Sequence, residues 1–477
     1  MTTQTATELQ DLPASEAGRL SLPTSTEEDR GLAEPLEIPI PETPVLSPAE
    51  YKKSAYLVLA GCVLIQAPIW GYSLAFGIFQ EYYTSHPTVL SHSAPGTVAS
   101  IGTSQTGVLY LMMPAAFTLL TKYPSLRRWC LPAGLLLTTA CLVASSFAAT
   151  AGQLVATQGV LHAVGCGLLF SPSSLCLDEW FAERKGLAYG AMWAGKSGVG
   201  AGMPFLTSAL LAKYGASSTL RIFAVASAFL TIPPLFLMRP RPATSRRTST
   251  TGTATEEEEE ESGSRGRVSF AFARHSNFWI LMCGNVLQSL GYLMPPTYLA
   301  SYANALGFPS ITGPIFLALL SLASVPGSLL IGMLNDTGLA TTTVILISSL
   351  GSAVPVFLLW GVGGHQVAVL VVFTLTYGFF AGGFSSTWSG IQHEMKRRDG
   401  AIDTGLIFGM LLGGRGLGFV LSGPVGGALL ETDRLKAEDF TGYATQYGPM
   451  IVYTGLTATL GAWGWFWAMG KRAMGAM

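Results

Sequence analysis

Charge is what this chain has little of. Only 12% of its 477 residues are Asp, Glu, Lys or Arg, against about 25% in an average soluble domain, and a soluble fold so poor in charge is hard to keep in solution. A net charge of −1 supplies no field for nucleic acid, which excludes DNA or RNA as a partner. The six cysteines (Cys62, Cys130, Cys141, Cys166, Cys176, Cys283) form no Cys-x-x-Cys pair and no histidine spacing that builds a metal site. They read as free, buried thiols, and neither a metal nor a cofactor is expected. The N-terminus lacks a basic-then-apolar leader: residues 1–50 are rich in Pro, Glu, Ser and Thr and read as a disordered tail. The middles of the apolar runs hold no carboxylate, since Glu81, Asp178, Glu179, Asp336 and Asp403 all fall near run ends.

What the chain has in abundance is long apolar sequence, 49% hydrophobic residues overall, and 55 glycines. A hydrocarbon core about 30 Å thick needs about 20 apolar residues of helix. Runs of that kind lie near 54–79, 97–121, 129–149, 152–176, 187–212, 218–238, 276–303, 312–334, 340–360, 366–391, 402–430 and 448–470. The spacing predicts an all-α membrane protein of twelve transmembrane helices in two six-helix bundles, 51–238 and 276–477. Between them, 239–275 holds RPRPATSRRTSTTGTATEEEEEESGSRGR, too polar to bury a core, and reads as a linker loop.

Lys and Arg orient the chain. Placing the N-terminus in the cytoplasm leaves only Lys213, Arg221, Arg434 and Lys436 in outer loops, while Lys196 and Arg415 fall inside spans. Both termini, the tail and the linker are therefore expected to be cytoplasmic. The sequon Asn335-Asp336-Thr337 then faces the cytoplasm and is expected to carry no glycan.

Residues 190–198, GAMWAGKSG, satisfy the nucleotide-binding pattern GxxxxGK[ST]. That pattern works where a buried strand leads into a helix whose free N–H groups cradle phosphates. Here a charged, unstrand-like DEWFAERKGLAY precedes it and an apolar run follows to Leu211, so no nucleotide is expected. The spacing is helical instead. Gly190, Ala194, Gly198 and Gly202 recur every four residues and predict a face for close helix packing. Lys196 falls opposite that stripe, about 15 Å from the cytoplasmic end of its span at 1.5 Å per residue. An ammonium there costs at least about 2.5 to 3.5 kcal/mol unless paired or hydrated. Two readings stand: an anion site, or a lysine held by backbone carbonyls. Arg415, in GGRGLG, is the other deep cation. Guanidinium suits bidentate carboxylate binding, and the competing reading is a structural tie to neighbouring carbonyls. Central cations without central acids favour an anionic or carboxylate-bearing substrate.

Three stretches resemble the monocarboxylate porter family of the major facilitator superfamily, in its fungal branch. They are WGYSLAFGIFQEYY (70–83), WFAERKGLAYGAMWAGKSGVG (180–200) and IFGMLLGGRGLGFVLSGPVGGALL (407–430). The resemblance covers about 54–470 and implies a major facilitator fold, a substrate site near the midplane and alternating access. The carrier is then a secondary transporter of a small organic anion, with or without a proton. Animal members carry an Asp and an Arg in span 8, linked to proton coupling. Here SLASVPG places Ser321 and Val325 at those positions, so that mechanism does not carry over. In the superfamily, spans 1, 4, 7 and 10 line the cavity. The matching polar and aromatic residues are Gln66 and Trp70, Gln158 and His162, Asn285, Gln288 and Tyr292, and Tyr377. Each competes with a plain helix-packing reading. The plasma membrane is the expected location. Efflux of a secondary metabolite and a transporter-like nutrient sensor are the alternatives, and no catalytic residue is expected.

Overall fold

The computed structural model describes residues 53–86, 95–181, 185–238, 271–398, 404–432 and 441–475. The expected tail (1–50) and the linker as far as residue 270 lie outside these. Among the described residues every regular element is a helix. They form twelve helical stretches that follow the apolar runs of the sequence. The first six are α1 (Lys53–Ser85), α2 (Pro95–Leu111 and Met113–Lys122), α3 (Arg127–Ser145), α4 (Ala151–Leu154 through His162–Trp180), α5 (185–214) and α6 (216–237). The rest are α7 (Ser276–Tyr292 and Met294–Ala305), α8 (Thr312–Asp336), α9 (Thr341–Val362), α10 (Val367–Arg397), α11 (Thr404–Glu431) and α12 (Gly448–Leu460 and Trp463–Gly475). Eight helices among the described residues are long and apolar enough to cross a membrane, α5 and α6 counting as one continuous apolar helix. Their outward faces carry bare Leu136, Phe229, Leu329 and Leu358, the surface that lipid requires and water penalises. The chain is a multi-pass membrane protein.

Proline places the breaks that shape the interior. Proline has no N–H, so it leaves the carbonyl four residues earlier unpaired and loosens the turn between. Pro114 does this to Tyr110, and α2 breaks at Met112. Pro296 does it to Tyr292, and α7 breaks at Leu293. The freed Tyr292 carbonyl accepts the Tyr377 hydroxyl of α10 at 3.2 Å. Gly215 supplies the non-helical residue between α5 and α6, at φ 73°, a backbone state that glycine reaches without a Cβ penalty.

The two sets of helices pack through a shared hydrophobic core that includes Trp70, Tyr110 and Phe170 from the first set and Phe278, Leu411 and Phe419 from the second. Close approaches hold them together: α2 against α11, α5 against α8, and the ends of α1 and α7. Gly96 lies so close to Gly427 that a Cβ on either meets backbone. Asn304 of α7 donates to Glu81 of α1 at 2.9 Å, which ties the two sets together at the end of the bundle where α1 finishes.

Candidate substrate centre

Helix α5 turns Lys196 inward, but the small-residue stripe does not pack as its spacing predicts. A Cβ on Gly190, Gly198 or Gly202 would meet open space, and Ala194 is exposed. The contacts fall on Gly195, which closes on Val63, and Gly200, which closes on Ser321. Four-residue spacing correctly separates two faces of a helix; which face has a neighbour is a tertiary matter. Here the cation's side is the packed one.

The Lys196 ammonium stands 4.0 Å from the Trp70 ring centre and 5.0 Å from that of Trp193. Trp70 is held by its own helix: its indole N–H donates to Gln66 Oε1 at 2.9 Å, and Gln66 Nε2 donates to the Cys62 carbonyl at 2.8 Å. Gln66 therefore aims the ring that faces Lys196, with both its oxygen and its nitrogen occupied.

Arg415 is 2% exposed and sits among four rings. Its guanidinium carbon lies 4.3 Å from Tyr292, 5.2 Å from Phe419, 5.4 Å from Phe384 and 5.7 Å from Trp388. Its Nη1 has no hydrogen-bond partner among the described residues. Asn285 donates to the Leu411 carbonyl at 2.8 Å and accepts from Trp388 Nε1 at 3.3 Å. It joins α7, α10 and α11 and orients one wall of the cage. Tyr377 anchors the freed carbonyl of Tyr292 and so fixes another.

The two cages belong to one centre. Trp70 touches Tyr110 at 5.7 Å between ring centres, Tyr110 touches Phe419 at 5.5 Å, and Phe419 stacks on Tyr292 at 5.6 Å. Lys196 lies within electrostatic reach of Arg415, and no carboxylate among the described residues acts on either. Cation–π contact offsets about 0.5 to 2 kcal/mol per desolvated pair, whereas burying an ion costs several kcal/mol. Arg415 also has the Tyr292 side chain as a polar partner, but its Nη1 stays unmet among the described residues.

Three of the polar residues expected in the cavity, Gln158, His162 and Gln288, have their contacts elsewhere. His162, fully buried, faces Tyr72 at 5.7 Å and Cys166 Sγ at 3.7 Å, within the first set of helices. It follows a π-helical turn, Val155–Leu161, whose Gln158 accepts the Tyr72 hydroxyl. Gln288 packs against Gly461 of α12. His162 sits on a helix that reaches the centre through Phe170 but contacts Tyr72 instead; Gln288 shares a helix face with Asn285 and Tyr292, yet its side chain lies against Gly461. Conversely, Tyr110, Phe419, Trp193, Phe384 and Trp388 were not singled out from sequence. A signal existed for two of them: Trp193 precedes Lys196 by three residues and Phe419 follows Arg415 by four, the spacings that share a helix face. Tyr110 comes from α2, and no local pattern brings it there.

A bundle of apolar helices around a buried, cationic, ring-walled centre is the construction of a membrane carrier. The profile of the Major Facilitator Superfamily matches residues 58–418, and the chain belongs to that family of transporters. It is similar to the MFS-type transporter pynF of Aspergillus niger, 26% identical over 80% of this chain and 83% of that one. Monocarboxylate transporter 10 of Danio rerio is 25% identical over 85% and 78%, and the Fujikurins efflux protein of Gibberella fujikuroi 23% identical over 80% and 78%. The solved structure of the nucleoside transporter NupG shares the fold, with a TM-score of 0.60 at 15% identity over 85% of this chain and 98% of that one.

Proposed function

We propose that the protein carries a small organic anion or carboxylate-bearing metabolite across the plasma membrane, by alternating access between two six-helix halves, with both termini cytoplasmic. The observation that supports this reading most is the pair of deep cations, the buried Arg415 and the half-buried Lys196, in one aromatic centre between the halves, with no carboxylate among the described residues acting on either. An anion entering the centre gains charge-assisted hydrogen bonds that the empty protein leaves unmade. Binding that consumes such unmade interactions supplies the energy to shift between states. Toward the end where α1 finishes, the two sets of helices are joined by the Glu81–Asn304 bond and the Gly96–Gly427 approach, so a carrier cycle that opens this end must break these contacts.

Export is favoured as the direction by the likeness to the Fujikurins efflux protein. Export and uptake use the same site, and oriented vesicles separate them. The deciding experiment is counterflow in proteoliposomes with labelled monocarboxylates and without nucleotide. Saturable exchange is expected. Lys196→Met is expected to raise the half-saturation concentration at least about tenfold, the effect of losing one charged hydrogen bond worth about 1.5 to 3 kcal/mol, with membrane expression retained. Unchanged exchange in that variant makes Lys196 structural, and absence of exchange with any organic acid turns the reading toward a sensor.

A further inference from the structure

The two cations share no ring. Lys196 is faced by Trp70 and Trp193, whereas Arg415 is faced by Tyr292, Phe384, Trp388 and Phe419. Tyr110 stands between the cages, touching Trp70 on one side and Phe419 on the other. Each cation therefore faces its own set of rings, and a single carboxylate drawn onto the Arg415 guanidinium leaves the Lys196 ammonium with its two indoles. That ammonium is half-buried, and without an anion its partial desolvation goes uncompensated.

Resting on the anion reading above, we infer that the cargo carries two acidic groups with a flat unsaturated body between them. One acid pairs with Arg415, whose orphaned Nη1 is free to donate. The second pairs with Lys196. The body lies along the rings of Tyr110 and Phe419, where planar groups stack and a flexible chain does not. Both cages are set in advance by hydrogen bonds: Gln66 and Asn285 accept from the indoles of Trp70 and Trp388, and Tyr377 donates to the Tyr292 carbonyl. A rigid cargo then loses little freedom on binding, while a flexible diacid of similar length must freeze its torsions. Chemically the class includes aromatic dicarboxylates and carboxylates that bear a second acidic enol or phenol.

The test uses three labelled probes in proteoliposomes of the full chain: benzene-1,4-dicarboxylate, benzoate and hexanedioate. The expected result is exchange of the aromatic diacid at concentrations at least tenfold lower than either other acid. In Lys196→Met the preference for diacid over benzoate is expected to collapse to near unity, and in Lys196→Arg to persist. This ratio is read within one preparation, so a variant that folds poorly still reports it. Equal handling of benzoate and the aromatic diacid by the native protein overturns the second acid. Equal handling of hexanedioate overturns the flat body. Exchange of none of the three, with none of them displacing another, overturns the anion reading itself rather than this refinement.

Discussion

Gln66 shows how much a single side chain outside direct reach of a cargo sets the centre. Its oxygen is the acceptor for the Trp70 indole, and its nitrogen is spent on Cys62. Replacing it by leucine strands a buried N–H, at about 1 to 3 kcal/mol, and frees the ring that faces Lys196. Gln66→Leu is expected to weaken cargo binding several-fold in counterflow while the maximal exchange rate changes less. An unchanged half-saturation concentration removes Gln66 from the positioning role. Asn285 acts alike on Trp388, but it also ties Leu411, so its loss reaches the packing of α11 as well. The cations themselves were legible without a structure, because a lysine and an arginine in the middle of apolar runs have few affordable places to be. Of the rings that face them, Trp70 and Tyr292 were named through the family resemblance, whereas Phe384 and Trp388 were not. His162 was as polar and as central in the sequence as Gln66, yet a rotation about α4 sends it toward Tyr72 and Cys166.

For the elements, helix α5 gives the sharpest contrast. Gly200 and Gly202 are two residues apart in the same helix. A Cβ on Gly200 meets the Ser321 side chain of α8, and a Cβ on Gly202 meets nothing. Gly200→Ala is expected to lower thermal stability by about 1 to 3 kcal/mol through overpacking. Gly202→Ala is expected to be neutral or to raise stability by up to about 1 kcal/mol, the helix propensity gained. Thermal unfolding of the purified variants checks both, and the reverse order would restore the stripe as the packing face. The helix boundaries themselves follow the apolar runs closely, since length and hydropathy are local properties. The breaks in α2 and α7 follow Pro114 and Pro296 just as locally. What those breaks achieve is not local: the carbonyl released by Pro296 is taken by Tyr377, which is 85 residues from Tyr292.

Across the whole molecule, transport requires that contacts between the two sets of helices be strong enough to form and weak enough to break. The Glu81–Asn304 bond is such a contact. Asn304→Asp sets a second carboxylate against Glu81 and is expected to favour the state open at that end. A cysteine placed at Ser301, whose hydroxyl is buried without a partner among the described residues, should then react with a membrane-impermeant maleimide about tenfold faster, the change expected for a lost interaction of roughly 1.4 kcal/mol. Labelling no faster than in the Ser301→Cys parent removes this contact from the closure.

The sequence by itself determined the class of the protein. Low charge, long apolar runs and two deep cations constrain any fold through lipid, because the bilayer penalises each polar group separately and therefore readably. It also marked α5 and α11 as the helices that carry the deep cations. Only the tertiary structure decided which face of each helix has a neighbour. Gly195 and Gly200, rather than the regular stripe, make the contacts of α5, and Tyr110 and Phe419 join the cages of Lys196 and Arg415. The physical reason is that a helix repeats every 3.6 residues whatever surrounds it, whereas a cage of rings exists only where distant helices meet at one crossing.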